Sequence, residues 1–320
     1  MTNRPRCLLV VARTFYAFAH TLERELEAMG YAVTVANDEY PANNIGKVMG
    51  KLDLEPLRWL TRRTFAAKFL NGPRWSLVVI CKGRGIGVAL ARDLRRHSDR
   101  VVGYHWDAIA YDRAALRWTG DVDRVSTFDF RDAAEHGWPL VELFSALPAP
   151  DPLPPLRHAV SAILRNHSQR LAFVDRVIAA LGDTGSFVFI YEKSRLAFAF
   201  RALRAPRLYW RWRHRVSFTS LPYREYITTL AASDFTIDFA HPRQSGTTIR
   251  CFEALATGAK IITNNVFTAQ SPHFGKHNVI VFDDGTRPEA LREAVGRLAG
   301  KRPPVERRTP REFLTEVIGD

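Results

Sequence analysis

DFTIDFAHPRQSGTTIRCFEALATGAKIITNN, residues 234–265, decides how the chain is read. A β-branched apolar run leads into a glycine-containing loop, an amphipathic stretch and a second apolar run, so the pattern predicts strand, helix, strand. A helix beginning at about Thr247 gathers free backbone N–H groups beside Gly246, and such an end attracts phosphate. Along it Gly246, Arg250, Glu253 and Thr257 fall at i, i+4, i+7 and i+11, a single stripe, while Ile249, Phe252 and Ala256 form the apolar neighbour face. A carboxylate on that stripe can accept both hydroxyls of a ribose, and Arg250 can neutralise a diphosphate with paired donors. The plainer alternative makes Arg250 and Glu253 an exposed i, i+3 ion pair on a surface helix.

Outward from this segment the same alternation continues. Before it stand HAVSAIL, the helical QRLAFVDRVIAALG, the strand SFVFIY and the helical YREYITTLAA; after it come NVIVFDD and the helical RPEALREAVGRLAG. The first half repeats the scheme with CLLVVA, FAHTLERELEAMG, YAVTVA, SLVVICKG, IGVALARDLRRH and RVVGYHW. In its first helix Phe18, Leu22, Leu26 and Met29 recur at helical spacing, with Gly30 where a C-terminal cap belongs. Alternation of this kind implies parallel sheets covered on both faces.

Between the halves, FSALPAPDPLPPL (144–156) carries five prolines, each without a backbone donor. The chain is therefore read as an N-terminal Rossmann-like domain over 1–146, a proline-rich linker over 147–156, a C-terminal Rossmann-like domain over 157–300 and a tail over 301–320. In the tail, Thr309 and Glu312 form a capping box around Pro310. The expected fold class is α/β, two tandem Rossmann-like parallel-sheet domains with a cleft between them.

A chain of 320 residues with 46% hydrophobic and 25% charged content suits two such domains. Cys7, Cys81 and Cys251 are few and widely spaced, so neither a disulfide framework nor a zinc cluster is suggested, and a reducing cytoplasm fits. The apolar run CLLVVA ends at Arg13, too short for a signal segment, and no stretch approaches the ~20 apolar residues of a membrane span. The formal net charge of +13 calls for an anionic partner: nucleic acid, an anionic membrane or a phosphorylated small molecule.

Further candidates lie at strand exits. RVVGYHW ends in His105, Trp106 and Asp107, and His105 or Asp107 could serve as a base toward an acceptor hydroxyl. The alternatives are a core histidine and a helix-capping aspartate. VVICKGRGIGVAL imitates a dinucleotide fingerprint, with Asp107 about twenty residues on. The spacing fails, because the third glycine position after Gly83 and Gly85 falls on Val88. A tight strand-to-helix turn with Lys82 available for a phosphate is the reading kept. Asp121-Val122-Asp123 imitates a metal-binding D-x-D pair but reads as turn chemistry, so no metal is expected.

The run FEALATGAKIIT (252–263) resembles the E-A-x-A-x-G-x-x-[VI]-[IV] element of GT-B glycosyltransferases. The longer QSGTTIRCFEALATGAKIITNN resembles bacterial lipopolysaccharide and capsular polysaccharide biosynthesis proteins of that class, as do YHWDAIAYD, VDRVSTFDFRDA and SLPYREYI. The resemblance implies a nucleotide-diphosphate sugar as donor substrate, with no other cofactor, held mainly by the second domain, and a saccharide or lipid-linked acceptor held by the first. On it, Glu253 binds the donor ribose and the backbone of Gly246, Thr247 and Thr248 cradles the diphosphate. ILRNHSQRLAFVDRV resembles the segment opening the second domain, where a basic side chain approaches phosphate; Arg170 is that candidate, and Lys193, just past SFVFIY, holds a similar position. Retaining members of the wider class carry a first glutamate where this chain has Ser245, so the stereochemical outcome stays open.

Two basic aromatic stretches, 56–70 and 201–218, suit an anionic membrane interface better than RNA; the plainer alternative is a solvated basic face. The expected location is the cytoplasm, and on the membrane reading of these stretches it is peripheral at the membrane's inner face. Competing readings are an NAD-dependent oxidoreductase, resting on the glycine run and Asp107, and a non-enzymatic basic module binding RNA or membrane.

Overall fold

The computed structural model describes residues 4–12 and 16–319, with the backbone alone for 16, 17 and 115. Arg13, which bounds the first apolar run, lies outside the described residues. Contacts divide the chain into two units: one runs to Ala146 and takes back the segment from Thr309, and the other is Leu147–Arg308.

The first unit is built on β1 (Arg6–Val11), β2 (Ala32–Asn37), β3 (Leu77–Cys81), β4 (Val101–His105) and β5 (Arg124–Thr127). All pair in parallel, in the order β2-β1-β3-β4-β5. Every residue of β3 and β4 is buried, which is why these strands read as continuous apolar runs rather than alternating ones. Helices α1 (Tyr16–Ala28), α2 (Asn44–Lys51), α3 (Glu55–Lys68), α4 (Val88–Arg96) and α5 (Phe130–His136) connect them. Leu22 and Leu26 of α1 are buried, and Gly30 beyond it has φ +100°, the conformation a glycine adopts cheaply at a helix end.

Trp118 is fully buried in this core and donates from its indole N–H to the carbonyl of Gly83 at 2.9 Å. Its ring lies so close to β4 that a Cβ on Gly103 would stand 2.4 Å from it. Gly103 is thus a packing requirement in the middle of a strand.

The second unit carries β6 (His158–Arg165), β7 (Ser186–Tyr191), β8 (Val216–Ser217), β9 (Ser233–Asp238), β10 (Lys260–Thr263) and β11 (Val279–Val281). Their order is β11-β10-β9-β6-β7-β8, again all parallel. Helices α6 (Arg170–Leu181), α7 (Arg195–Arg204), α8 (Pro206–Trp212), α9 (Tyr223–Ala231), α10 (Ile249–Leu255) and α11 (Pro288–Leu298) complete it. The order reverses direction between β1 and β3 in the first unit and between β6 and β9 in the second. Open α/β sheets bind ligands beyond the carboxyl ends of their strands at such switch points.

The final helix, α12 (Pro310–Ile318), has the capping box read from the sequence: Thr309 accepts from the Glu312 N–H, and Glu312 accepts from the Thr309 N–H. It belongs to the first unit rather than to a separate tail over 301–320. Phe313, Leu314 and Val317 are fully buried, and the Phe313 ring meets Tyr104 at 4.8 Å and Phe144 at 4.8 Å. Apolar burial of that kind outweighs proximity in the chain. No described helix is long and apolar enough to cross a membrane.

Gly103→Ala is expected to cost about 1–3 kcal/mol of stability, because the added methyl overpacks the Trp118 contact. Urea unfolding of the variant, followed by tryptophan fluorescence, checks this; an unchanged midpoint would show that Trp118 can shift.

Candidate functional site

At the switch point of the second unit, β9 ends in Asp238, whose carboxylate is wholly buried. It accepts from the Thr248 hydroxyl at 2.7 Å, the Thr263 hydroxyl at 3.3 Å and Arg250 Nη1 at 3.3 Å. These bonds tie the incoming loop and α10 to β9 and β10. Asn265 adds a second clamp, donating from Nδ2 to the carbonyls of Ser245 at 3.0 Å and Gly246 at 3.1 Å. Ser245, Gly246 and Thr247 are buried as a result. The predicted helix start at Thr247 is corrected to Ile249: Thr248 stays extended as the N-cap, its hydroxyl occupied by Asp238. The helix spans 7 residues, so its end contributes less charge than the sequence reading assumed, and side chains carry most of the electrostatics.

Arg250 and Glu253 do share one face. They line a recess of about 270 Å³ together with Arg165, Tyr191, Tyr223 and Tyr226, the size of a subsite rather than of a whole ligand site. Glu253 is buried and accepts from both tyrosine hydroxyls, Tyr223 to Oε1 and Tyr226 to Oε2, each at 2.6 Å. Burial raises its pKa against those two bonds. The surface ion pair is therefore excluded: Arg250 turns to Asp238 and Glu253 to the tyrosines. Thr257, the last member of the stripe, is spent on its own helix, donating to the carbonyls of Glu253 and Ala254. Two buried polar atoms here, Thr247 Oγ1 and Arg250 Nε, have no hydrogen-bond partner among the described residues. Each such group costs about 1–3 kcal/mol until something bonds to it.

Cations crowd the same region. Arg170 is the first residue of α6, and the loop before it holds His167. The His167 pKa is lowered to about 4 by burial and then by Arg170, Arg165, Arg250 and His241. Burial is the larger cause, and the arginines that add to it, Arg170, Arg165 and Arg250, bring positive charge suited to an anion. Lys193, by contrast, is exposed beyond β7 and lines none of the recesses described here. Its neighbour Glu192 is buried and bonded by Asn166 and Arg201. A wider concavity of about 380 Å³, lined by Gln169, Arg176, Phe239, Asn264 and Asp283, contains none of the predicted residues.

In the first unit His105 is 1% exposed and stacked between the rings of Trp118 at 5.4 Å and Trp138 at 4.8 Å. Burial and His136 lower its pKa to about 4. It is enclosed by those rings and lines none of the recesses described here, so no acceptor hydroxyl can reach it. Asp107 caps no helix; it pairs with Lys82, which is thereby engaged rather than available for a phosphate. Asp121 and Asp123 are tied to Arg92 and Arg95. The turn after β3 is tight, with Lys82 at φ +80° and Gly83 at +66°. Gly87 caps α4, and Val88 opens it.

A residue the sequence reading passed over stands at the exit of β2. Asp38 is 1% exposed and lines a recess of about 220 Å³ with Glu39, Asn43, Lys82 and Arg84. Its Oδ2 accepts from the Arg84 N–H at 3.1 Å, and Oδ1 has no hydrogen-bond partner among the described residues. Burial and then Glu39 raise its pKa to about 6, against Arg84 and Lys82. The signal was legible: YAVTVA runs directly into Asn37, Asp38 and Glu39 at the carboxyl end of a strand.

Solved structures of like fold include sucrose-phosphate synthase from Thermosynechococcus elongatus, with a TM-score of 0.61 and 12% identity over 98% of this chain and 95% of that one. UDP-GlcNAc 2-epimerase from Methanocaldococcus jannaschii, in complex with UDP-GlcNAc and UDP, gives 0.54 and 10% over 97% of each. The lipopolysaccharide outer core galactosyltransferase WaaB gives 0.53 and 10% over 98% of this chain and 99% of that one. The chain has the GT-B fold. No family model and no curated protein matches the sequence, so at these identities the likeness is one of fold. Within the GT-B frame, the Arg250 and Glu253 recess and the Asp38 recess each lie near the carboxyl ends of their own unit's strands.

Glu253→Ala would leave two tyrosine hydroxyls without their acceptor, so the fold is not indifferent to it. A drop of about 5–10 °C in the melting midpoint is expected, whereas Glu253→Gln, which keeps an acceptor, stays near the parent. Differential scanning calorimetry distinguishes them. His167 is expected to titrate near 4 in the free protein. Being neutral when folded and protonated below its ordinary value when unfolded, it contributes full stability above that value and loses it as pH falls toward 4. Histidine NMR resonances check this: adding pyrophosphate should move the His167 midpoint upward, and an unmoved midpoint places the anion elsewhere.

Proposed function

We propose that this GT-B chain transfers a glycosyl group from a nucleoside-diphosphate sugar to a hydroxyl of a saccharide, free or lipid-linked, in the building of a surface polysaccharide. The observation that carries the reading is the meeting of Arg250 and Glu253 in one recess, with an unpartnered buried donor on Arg250 and the cations around His167 close by. In this reading the guanidinium of Arg250 meets the diphosphate, Glu253 turns toward the ribose hydroxyls, and Arg170 supplies further positive charge as the diphosphate departs. Ionised carboxylate oxygens keep spare lone pairs after accepting from tyrosines, so Glu253 retains acceptor capacity.

Transfer breaks the bond between the sugar's anomeric carbon and the diphosphate oxygen and forms one to the acceptor oxygen, whose proton must leave. Asp38 is the candidate to take it, because it lines a recess beyond β2 and burial raises its pKa toward the range in which a base works best. Asp107, paired with Lys82, is the second candidate in that domain. Support for a surface polysaccharide comes from the FEALATGAKIIT run and from the likeness in fold to WaaB. The dinucleotide reading loses its ribose-binding carboxylate, because Asp107 is committed to Lys82.

Arg250→Lys is expected to weaken binding of nucleoside diphosphates about tenfold to a hundredfold, since it keeps the charge and loses the paired donors. Calorimetric titration of a panel of nucleotides into the protein and the variant measures this; equal affinities remove the assigned site. Asp38→Asn should leave that affinity alone and lower transfer by about 10²–10⁴-fold. Turnover of a nucleotide sugar to its epimer with no acceptor present would assign the fold's other chemistry instead.

A further inference from the structure

Helix α7 shows the solvent a face that a protein in water alone has no reason to show. Leu196, Phe200 and Leu203 recur at i, i+4 and i+7 and are 81%, 56% and 82% exposed. Phe198 and Ala202, offset from that stripe by about 200° around the helix, are the residues that pack on the core. The inward side is thus already satisfied, and the outward apolar stripe is extra. Trp210 on α8 is 69% exposed as well.

Charge surrounds this stripe. Residues 195–215 hold seven arginines, and no carboxylate occurs between Glu192 and Glu225. Among the described residues, Arg201 pairs with Glu192 and Arg211 with Asp175. Three others lie over exposed rings: Arg204 over Phe200 at 4.3 Å, Arg213 over Trp210 at 3.9 Å and Arg195 over Phe218 at 5.7 Å. The first basic aromatic stretch differs. On α3, Arg58 pairs with Asp53 and Glu55, and Arg62 with Asp93, so half of its four cations face carboxylates, and Arg63 lies over Trp59 at 5.5 Å.

We propose that α7 and α8 dock on an anionic lipid surface, with Leu196, Phe200, Leu203 and Trp210 entering the headgroup boundary and the surrounding arginines meeting lipid phosphates. Positive charge with no interrupting carboxylate is complementary to an anionic leaflet, and aliphatic side chains at helical spacing are what an interfacial helix buries. RNA would recruit the rings and the arginines but has no use for two exposed leucines, because only planar groups stack on bases. This inference goes beyond the transfer reading and does not rest on it.

The test is sedimentation of the full chain with phosphatidylcholine vesicles, with and without phosphatidylglycerol. The chain should pellet with the anionic vesicles only, and less at about 0.5 M than at about 0.05 M salt. The double variant Leu196→Glu, Leu203→Glu should lower the vesicle-bound to free ratio at least about tenfold. Its melting midpoint should match the parent, because both side chains face solvent. Arg204→Gln with Arg207→Gln should weaken binding to the anionic vesicles without creating binding to neutral ones. The proposal is overturned if the parent stays in the supernatant, or if the leucine variant pellets as well as the parent. Binding of single-stranded RNA with indifference to vesicles, or a dimer that the leucine variant dissociates, would also overturn it and give the face to another occupant.

Discussion

The carboxylate of Asp238 is the constraint on which the rest of the second domain's site depends. A charge buried at the end of β9 must be satisfied, and it is satisfied by Thr248, Thr263 and Arg250 at once. That requirement brings the 241–248 loop back over the strand ends, delays the start of α10 to Ile249 and turns Arg250 inward. Once Arg250 is fixed, helical spacing places Glu253 one turn further on the same face, where Tyr223 and Tyr226 of α9 receive it.

The two sheets share a principle and differ in order. β2-β1-β3-β4-β5 reverses between its second and third strands, whereas β11-β10-β9-β6-β7-β8 reverses in the middle. The chemistry follows these reversals. Asp38, Lys82 and Arg84 gather after β2 and β3, and Arg165, His167, Arg170 and Arg250 after β6 and β9. The +13 net charge is accordingly not spread evenly: part of it is drawn into the second switch point, and part is carried on the surface from Arg195 to Arg215.

Much of this was legible in the residues themselves. Continuous apolar strands such as LVVIC announced a parallel sheet covered on both sides, and Thr309 with Glu312 declared the last helix. The Gly83-to-Val88 run was read as a tight strand-to-helix turn, and Lys82 and Gly83 do take positive φ there before Gly87 caps α4. Local geometry decides each of these, and local geometry is what a sequence states directly.

What only the tertiary structure decided are the partners of charged and polar groups. From sequence, Arg250 and Glu253 were an i, i+3 pair as readily as a site, and only Asp238 and the two tyrosines, brought in from β9 and α9, separate the readings. His105 looked like a base at a strand exit until Trp118 and Trp138 enclosed it, and Asp38 drew no notice until the fold buried it in a recess with Lys82 and Arg84. Helical and strand periods are set by each residue's near neighbours in the chain, so the sequence carries them alone. Desolvation and ion pairing depend on which distant segments arrive at the same place, and that is fixed only when the sheets are assembled.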